Sequence, residues 1–313
     1  FEKGSKISIL LKIFNIISQL IDDISLQNSY NFFMENEVKP QQEANEIENF
    51  EILKKFSIFC FSPKIGFLDI LKDGPFSIIF TSGTLTPFKV FEDELEIKFS
   101  IAFENSHIVT EDQFKFMMIS NYSNGKFRFD YNNRNNNEMK KALGYEIYNY
   151  CKKTRHGGIL VFFSSYIYLN QCFSIWNESG INKEIEKFKK IYKDSSENKY
   201  LVNQIKSSTS NNYIFFSVFR GTSSEGIDFS DDSARMVICV GIPFADITDN
   251  RIKLKLEYMN NMNKEKNNFI GGNEWYIADA MTAVNQSLGR VIRHKNDYGI
   301  MVCIDERYQY FEK

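Results

Sequence analysis

The sequence has no cysteine pair at metal-binding spacing, no apolar run long enough to cross a bilayer and no strong excess of either charge. Its five cysteines, Cys60, Cys151, Cys172, Cys239 and Cys303, are scattered without a C-x-x-C pair, and several sit inside apolar runs. That pattern reads as reduced, buried thiols and leaves no metal site encoded in the chain. Thirty-eight Lys and Arg against forty Asp and Glu leave a formal charge of −2, so no global positive field announces a nucleic-acid partner. Any such binding must come from a local groove. The first residues, FEKGSK, lack the pattern of a signal peptide, so an intracellular protein is expected. The chain also lacks a G-x-x-x-x-G-K-[ST] loop to cradle phosphates. It starts without Met, with a helical pattern under way within a few residues, so it is expected to be a portion of a longer polypeptide.

What is present suffices for one large or two ordinary domains, since 313 residues with 43% hydrophobic content can bury sizeable cores. Ile7 to Phe33 places apolar residues at mixed three and four spacing and predicts an amphipathic helix or a pair of them. Met34 to Glu48 is polar and acidic and reads as a connector, with a boundary near Asn49. From Phe50 the runs KFSIFCFSP and FSIIFTSGTLTP read as short buried strands. The second ends in Thr81, Ser82, Gly83 and Thr84, and the carboxyl ends of strands are where open α/β sheets bind ligands.

Further strand-like pieces follow to Ile119, and then the asparagine-rich stretch from Asn132 to Asn137 predicts a mobile loop. Glu138 to Lys153 predicts a helix with Ala142, Leu143, Ile147 and Tyr150 on its apolar side. Gly158 to Phe163 predicts a strand that ends at Ser164, Ser165 and Tyr166, hydroxyls able either to cap the next helix or to bond a backbone phosphate. Lys183 to Lys193 reads as a solvated helix face. A third strand, YIFFSVF, leads into Arg220-Gly-Thr-Ser-Ser-Glu-Gly-Ile-Asp-Phe229, a loop whose glycines let backbone approach a ligand. RMVICVGIPF and GIMVCIDER predict two more strands. Strands alternating with helices from about residue 155 onward indicate an α/β fold with a parallel, helix-flanked sheet.

The stretch AVNQSLGRVIRH, Ala283 to His294, predicts a helix with Gln286, Arg290 and Arg293 on one stripe. Two guanidiniums one turn apart suit an anionic oxygen cluster such as a polyphosphate. They suit equally a solvated face on which Arg293 pairs with Asp297. The strand-end loops and this arginine helix are expected to converge on one edge of the sheet.

TSGTLTPF at 81–88, GGILVFFSSY at 157–166, FRGTSSEGIDFSD at 219–231 and QSLGRVIRH at 286–294 resemble, in order, motifs III to VI of superfamily 2 helicases, specifically the iron-sulfur, DEAH-related DNA helicases. The resemblance covers roughly Phe50 to Tyr308 and implies three segments. Residues 1–49 would be the helical end of the arch insertion, 50–95 the last strands of a first RecA-like domain, and 96–313 the second RecA-like domain, a parallel sheet flanked by helices.

By the same resemblance, ATP with Mg²⁺ sits between two RecA-like domains. Arg290 and Arg293 stabilise charge on the γ-phosphoryl and Gln286 helps bind the nucleotide, while Gly289 allows close packing beside it. Glu225, Gly226 and Asp228 lie at the nucleotide and domain cleft, and Gly221 and Thr222 lie near the DNA path. Thr222 stands where the relatives usually have Lys. Ser82, Gly83 and Thr84 resemble the residues that couple hydrolysis to strand movement, and Ser164, Ser165 and Tyr166 resemble contacts to single-stranded DNA. The Asp-Glu-Ala-His box and the four cysteines of a 4Fe-4S cluster, which precede motif III in the family, are not in this sequence. The implied function is the carboxyl-terminal motor half of a nuclear, ATP-dependent 5′ to 3′ DNA helicase acting on single-stranded and duplex DNA with its amino-terminal RecA-like domain. The alternative is a non-catalytic nucleic-acid-binding or scaffold protein.

Overall fold

The computed structural model describes residues 11–15, 17–18, 29–40, 50–194, 211–221, 229 and 231–311. The described residues divide into two compact units. The first draws on Phe1–Thr81, Leu85–Ala102 and Asp246–Trp275, and the second on Ser82–Thr84, Phe103–Ala245 and Tyr276–Lys313.

In the first unit, residues 11–15 and 17–18 are helical, as the periodicity predicts, but the expected helix does not reach Phe33. Strand β1, Tyr30–Pro40, pairs antiparallel with β2, Phe50–Cys60, so half of the expected connector is also strand. Tyr30, Phe32 and Phe33 favour a pleated surface, and Phe32 stacks on Phe56 across the ribbon at 6.0 Å. β2 is not a buried strand, since Phe56 is exposed. The run FSIIF at 76–80 forms no strand, and Phe76 and Ile79 are exposed. A strand needs neighbours for its backbone groups, and no described strand pairs with this run.

Helix α1, Lys64–Lys72, is followed by α2, Phe88–Leu95, where strand-like pieces were expected. Pro87 stands at the N-cap of α2, Phe88, Phe91 and Leu95 share a helical face, and Lys89 meets Asp93 one turn on at 2.7 Å. Helix α6, Asn250–Glu265, supplies Tyr258, Met259 and Met262 to an apolar cluster with Phe61, Phe269 and Ile270. Its buried Lys255 donates to Phe61 O at 2.8 Å and to Glu94 at 2.9 Å.

The second unit holds a six-stranded, all-parallel sheet in the order β3-β10-β9-β6-β8-β7. The strands are β3 (Phe114–Ile119), β6 (Ile159–Phe163), β7 (Lys190–Lys193), β8 (Tyr213–Val218), β9 (Met236–Val240) and β10 (Gly299–Ile304). A short antiparallel pair, β4 (Asn121–Tyr122) and β5 (Gly125–Lys126), stands apart. β6, β8 and β9 are buried along their whole length, the signature of central parallel strands covered on both faces. The expected α/β, helix-flanked parallel sheet is therefore the observed architecture.

Helix α3, Asn137–Lys153, packs Leu143, Ile147 and Tyr150 on one face of the sheet, and Asn136 caps it by accepting from Met139 N at 3.0 Å. The asparagine run expected to be a mobile loop thus ends as a helix cap. Gly144 lets Trp176 of α4, Tyr166–Glu178, lie against α3, because a Cβ there would stand 2.5 Å from Trp176 Nε1. Helix α5 covers just Ile181–Glu186, so the charged helix expected to Lys193 gives way to edge strand β7. Helix α7, Gly272–Leu288, covers the other face with Ala280 and Val284.

Candidate functional site

In a parallel sheet all strand carboxyl ends share one edge, and this edge holds Ser164, Ser165 and Tyr166 at the end of β6. Ser165 caps α4, its hydroxyl accepting from Tyr168 N at 3.2 Å, so of its two sequence readings the structure displays the cap. Tyr166 reaches from β6 to the end of β7, donating to Asp194 Oδ2 at 2.9 Å, and Ser217 of β8 donates to the same oxygen at 2.8 Å. Asp194 is 1% exposed. Burial, then the neighbouring Asp194 carboxylate, pushes the Tyr166 phenol up to about 12, so it stays a neutral donor. Gly221 closes the group, since a Cβ on it would lie 3.3 Å from the Tyr166 hydroxyl. The structure thus brings Tyr166 and Gly221 together with Asp194 and Ser217, two residues that sequence reading missed. A lone Asp in a polar run carries no signal of its own; only the pairing of β7 with β8 puts it beside Ser217.

The arginine stretch differs from the expected helix. α7 stops at Leu288, so Gln286 is helical while Gly289, Arg290 and Arg293 lie beyond the helix end. A turn forms instead, with Arg290 N donating to Ser287 O and Val291 N to Leu288 O, both at 3.2 Å. The fully buried Val291 joins the sheet's apolar cluster, which pulls the chain out of helical register. Gly289 is exposed, and a Cβ there would stand 3.3 Å from Asn285 O.

Asp297, fully buried, anchors that turn. It accepts from Arg293 N and Tyr298 N, each at 3.0 Å, while Arg235, the residue just before β9, brings Nη1 to 2.6 Å. Burial raises the Asp297 pKa, and the bonds from Arg235 and the two backbone N–H groups outweigh it, so the carboxyl is held below its ordinary value. The partner for Asp297 that the structure displays is therefore the Arg235 guanidinium together with the Arg293 backbone. His294 Nε2 lies 3.0 Å from Asp231 just ahead of β9. Asp231, His294 and Asp297 bring potential ligand atoms within 4.8 Å of one another, but Arg235 already neutralises the buried member.

These groups do not converge on one edge. α7 runs opposite to the strands: Tyr276 near its start stacks on Phe244 just after β9, whereas its end leads into the start of β10. Ser164, Ser165, Tyr166 and Gly221 therefore stand at the carboxyl edge, and Arg290 and Arg293 at the amino edge, of the same sheet. Thr222, Glu225, Gly226 and Asp228 lie outside the described residues, in the segment between Gly221 and Phe229. Ser82, Gly83 and Thr84 form a local turn in which the Ser82 hydroxyl lies 3.2 Å from that of Thr84 and accepts from Thr84 N.

Four of the five cysteines are buried, as expected, and Cys60 is exposed. Cys151 and Cys172 are buried, with burial pushing both thiols up to about 12, and Cys239 is likewise raised beside Cys303 on the neighbouring strand. Among the described residues no helix is long and apolar enough to cross a membrane.

Residues 147–312 match the family model described as helicase C-terminal domain. Among curated relatives, regulator of telomere elongation helicase 1 homolog of Anopheles gambiae is 37% identical over 267 residues, 82% of this chain and 26% of that protein. The Arabidopsis thaliana homolog is 34% identical over 86% of this chain and 28% of its own length. That of Drosophila grimshawi is 33% identical over 98% of this chain and 33% of its own. The chain thus spans about a quarter to a third of the length of these relatives. The solved structure of S. tokodaii Xpd4 aligns over 71% of this chain and 43% of that one, with 17% identity and a TM-score of 0.43.

Proposed function

The chain belongs to the helicase C-terminal domain family, and from that premise we propose that it is the carboxyl-terminal motor portion of an ATP-dependent 5′ to 3′ DNA helicase. In this reading the amino-edge cluster serves the nucleotide. Arg290 and Arg293 hold negative charge that develops on the γ-phosphate, as planar, permanently charged donors can, and Gln286 helps orient the nucleotide. ATP with Mg²⁺, when bound against a preceding RecA-like domain, supplies the phosphoryl group whose transfer drives movement. The family resemblance assigns Glu225, Gly226 and Asp228 to nucleotide binding as well.

The carboxyl-edge cluster, Ser164, Ser165, Tyr166 and Gly221, lies on the DNA strand, and the family resemblance assigns Thr222 the same role. Small hydroxyls and close backbone suit sugar-phosphate contacts, which carry no sequence information and so let a motor step along any strand. Ser82, Gly83 and Thr84 relay movement between the halves. A 4Fe-4S cluster belongs to the longer polypeptide, and telomere maintenance in the nucleus is the setting that the relatives' names suggest.

The observation that carries the reading is the separation of the two clusters. A motor needs a nucleotide site and a strand site at distinct places on one rigid body, and α7 spans the distance between them. The test is ATPase activity of the full-length gene product with and without single-stranded DNA, beside its Arg290→Ala and Arg293→Ala variants. The reading expects DNA-stimulated hydrolysis that falls at least tenfold in either variant, the order of an arginine finger's contribution. Hydrolysis unchanged in both would sink the assignment, and no ATPase in the intact product would favour a non-catalytic scaffold.

A further inference from the structure

We propose that Arg220 is a positioning residue that couples the carboxyl-edge cluster to the guanidiniums beyond α7 by clamping Asp279. The proposal rests on the reading above, in which the two edges serve DNA and nucleotide.

Arg220 is the second residue past β8, in the turn that also holds Gly221. Its Nη2 donates to Asp279 O at 2.6 Å and to Asp279 Oδ2 at 2.8 Å, so one guanidinium nitrogen grips both the backbone and the side chain of α7. Its backbone is left-handed, at φ 57°, a conformation uncommon for a residue with a side chain and kept only where surroundings impose it. The pair is partly solvated, with side chains 41% and 31% exposed, and ion pairs of that kind contribute little to stability. A strained backbone that holds a weakly stabilising pair is poor value as a structural strap; it makes sense as a mechanical link.

The link joins two defined ends. On one side Gly221 follows Arg220 directly, and there a Cβ would stand 3.3 Å from the Tyr166 hydroxyl, which Asp194 holds. On the other side Gln286 lies seven residues along α7 from Asp279, about 10 Å of stiff helix at 1.5 Å per residue. Arg290 and Arg293 follow in the turn that Asp297 pins. A shift of the strand-end turn when DNA binds therefore drags α7 through the clamp and moves the guanidiniums relative to the nucleotide. By linkage the reverse also holds, so nucleotide binding changes affinity for the strand.

Two substitutions separate this role from a structural one: Arg220→Gly removes the whole clamp, Asp279→Ala removes its side-chain half and leaves the bond to Asp279 O, and each improves the local backbone. Arg220→Gly places glycine at a positive φ, and Asp279→Ala puts a stronger helix former inside α7. In the full-length protein we expect melting temperatures unchanged or raised in both, with the ratio of ATPase rate with single-stranded DNA to the rate without it falling roughly fivefold or more. The double variant should lose no more than Arg220→Gly alone. Arg220→Lys, which keeps the charge, should recover part of the ratio. Stimulation retained in both single variants would overturn the proposal, and so would loss of stimulation that tracks a fall in melting temperature. Arg290→Ala in the same assay distinguishes failure of the clamp from failure of the nucleotide reading. If Arg290→Ala abolishes hydrolysis and Arg220→Gly leaves stimulation intact, the clamp alone is refuted.

Discussion

Arg235 Nη1 lies 2.6 Å from Asp297 Oδ1, joining the start of β9 to the turn after α7 across 62 positions of sequence. The Tyr298 ring stacks against the same guanidinium, 4.0 Å from its centroid. The carboxylate is fully buried and the guanidinium nearly so, and without Asp297 the guanidinium keeps only the exposed Asp232 as an anionic partner, at 2.9 Å. Asp297→Asn should therefore destabilise the protein by about 2 kcal/mol, read by denaturant titration at pH 7. A cost under about 0.5 kcal/mol would mean that the turn is not held by this carboxylate.

The same pair gives a pH dependence with a definite sign. The folded Asp297 pKa is depressed, so its contribution is complete above the unfolded value near 4 and is lost as pH falls through the lower folded value. Wild type should lose stability over Asp297→Asn in that acid window, with the difference between them flat from about pH 5 to 7. A difference that persists undiminished below the window would show that the interaction is not ionic.

Asp194 is expected to act on Tyr166 as a single unit. A double-mutant cycle of Tyr166→Phe and Asp194→Asn should give a coupling free energy of about 1 kcal/mol, the usual net worth of a buried hydrogen bond. Additive effects, with coupling near zero, would remove Asp194 from the account of that edge.

Gly144→Ala sets two effects against each other. Alanine is the better helix former by about 1 kcal/mol, yet its Cβ would stand 2.5 Å from Trp176 Nε1, which donates to Lys140 O at 2.7 Å. The clash involves a buried indole fixed by that bond, so overpacking wins and the variant should be less stable by about 1–2 kcal/mol. A stabilised variant, measured calorimetrically, would show that the ring can move freely.

Lys189, 1% exposed, donates to Gly157 O and Asn212 Oδ1, both at 2.6 Å, and burial lowers its pKa to about 8. Between that value and the unfolded value near 10.4 the unfolded chain binds more protons, so this group's contribution to stability rises with pH. Lys189→Met cannot show that rise. The stability of wild type minus variant should increase from pH 8 to pH 10, and a difference that is constant or falls would place the lysine's charge in solvent.

The sheet was legible because central parallel strands announce themselves as unbroken apolar runs. ILVFF, YIFFSV and MVICV are buried along their whole length and GIMVCI along most of it, the burial that a parallel sheet covered on both faces provides. Runs such as FSIIF at 76–80 have the same composition without the outcome, since a strand also needs partners that composition does not specify. Helix ends were the weak point. Gln286, Arg290 and Arg293 fit one helical stripe, but helix propensity is overridden where Val291 can reach the apolar cluster and Asp297 can bind the backbone of the next turn.

The sequence by itself determined the α/β class, the order of motifs and the residue types that chemistry at anionic ligands requires, because these depend on local periodicity and on side-chain chemistry. Only the tertiary structure decided that the hydroxyl cluster and the arginines occupy opposite edges of the sheet, and that Asp194, Arg220, Asp279 and Arg235 hold them there. Those placements follow from which strands neighbour one another and from α7 running against the strand direction, and contacts across 28, 59 and 62 positions are fixed by packing rather than by any local pattern.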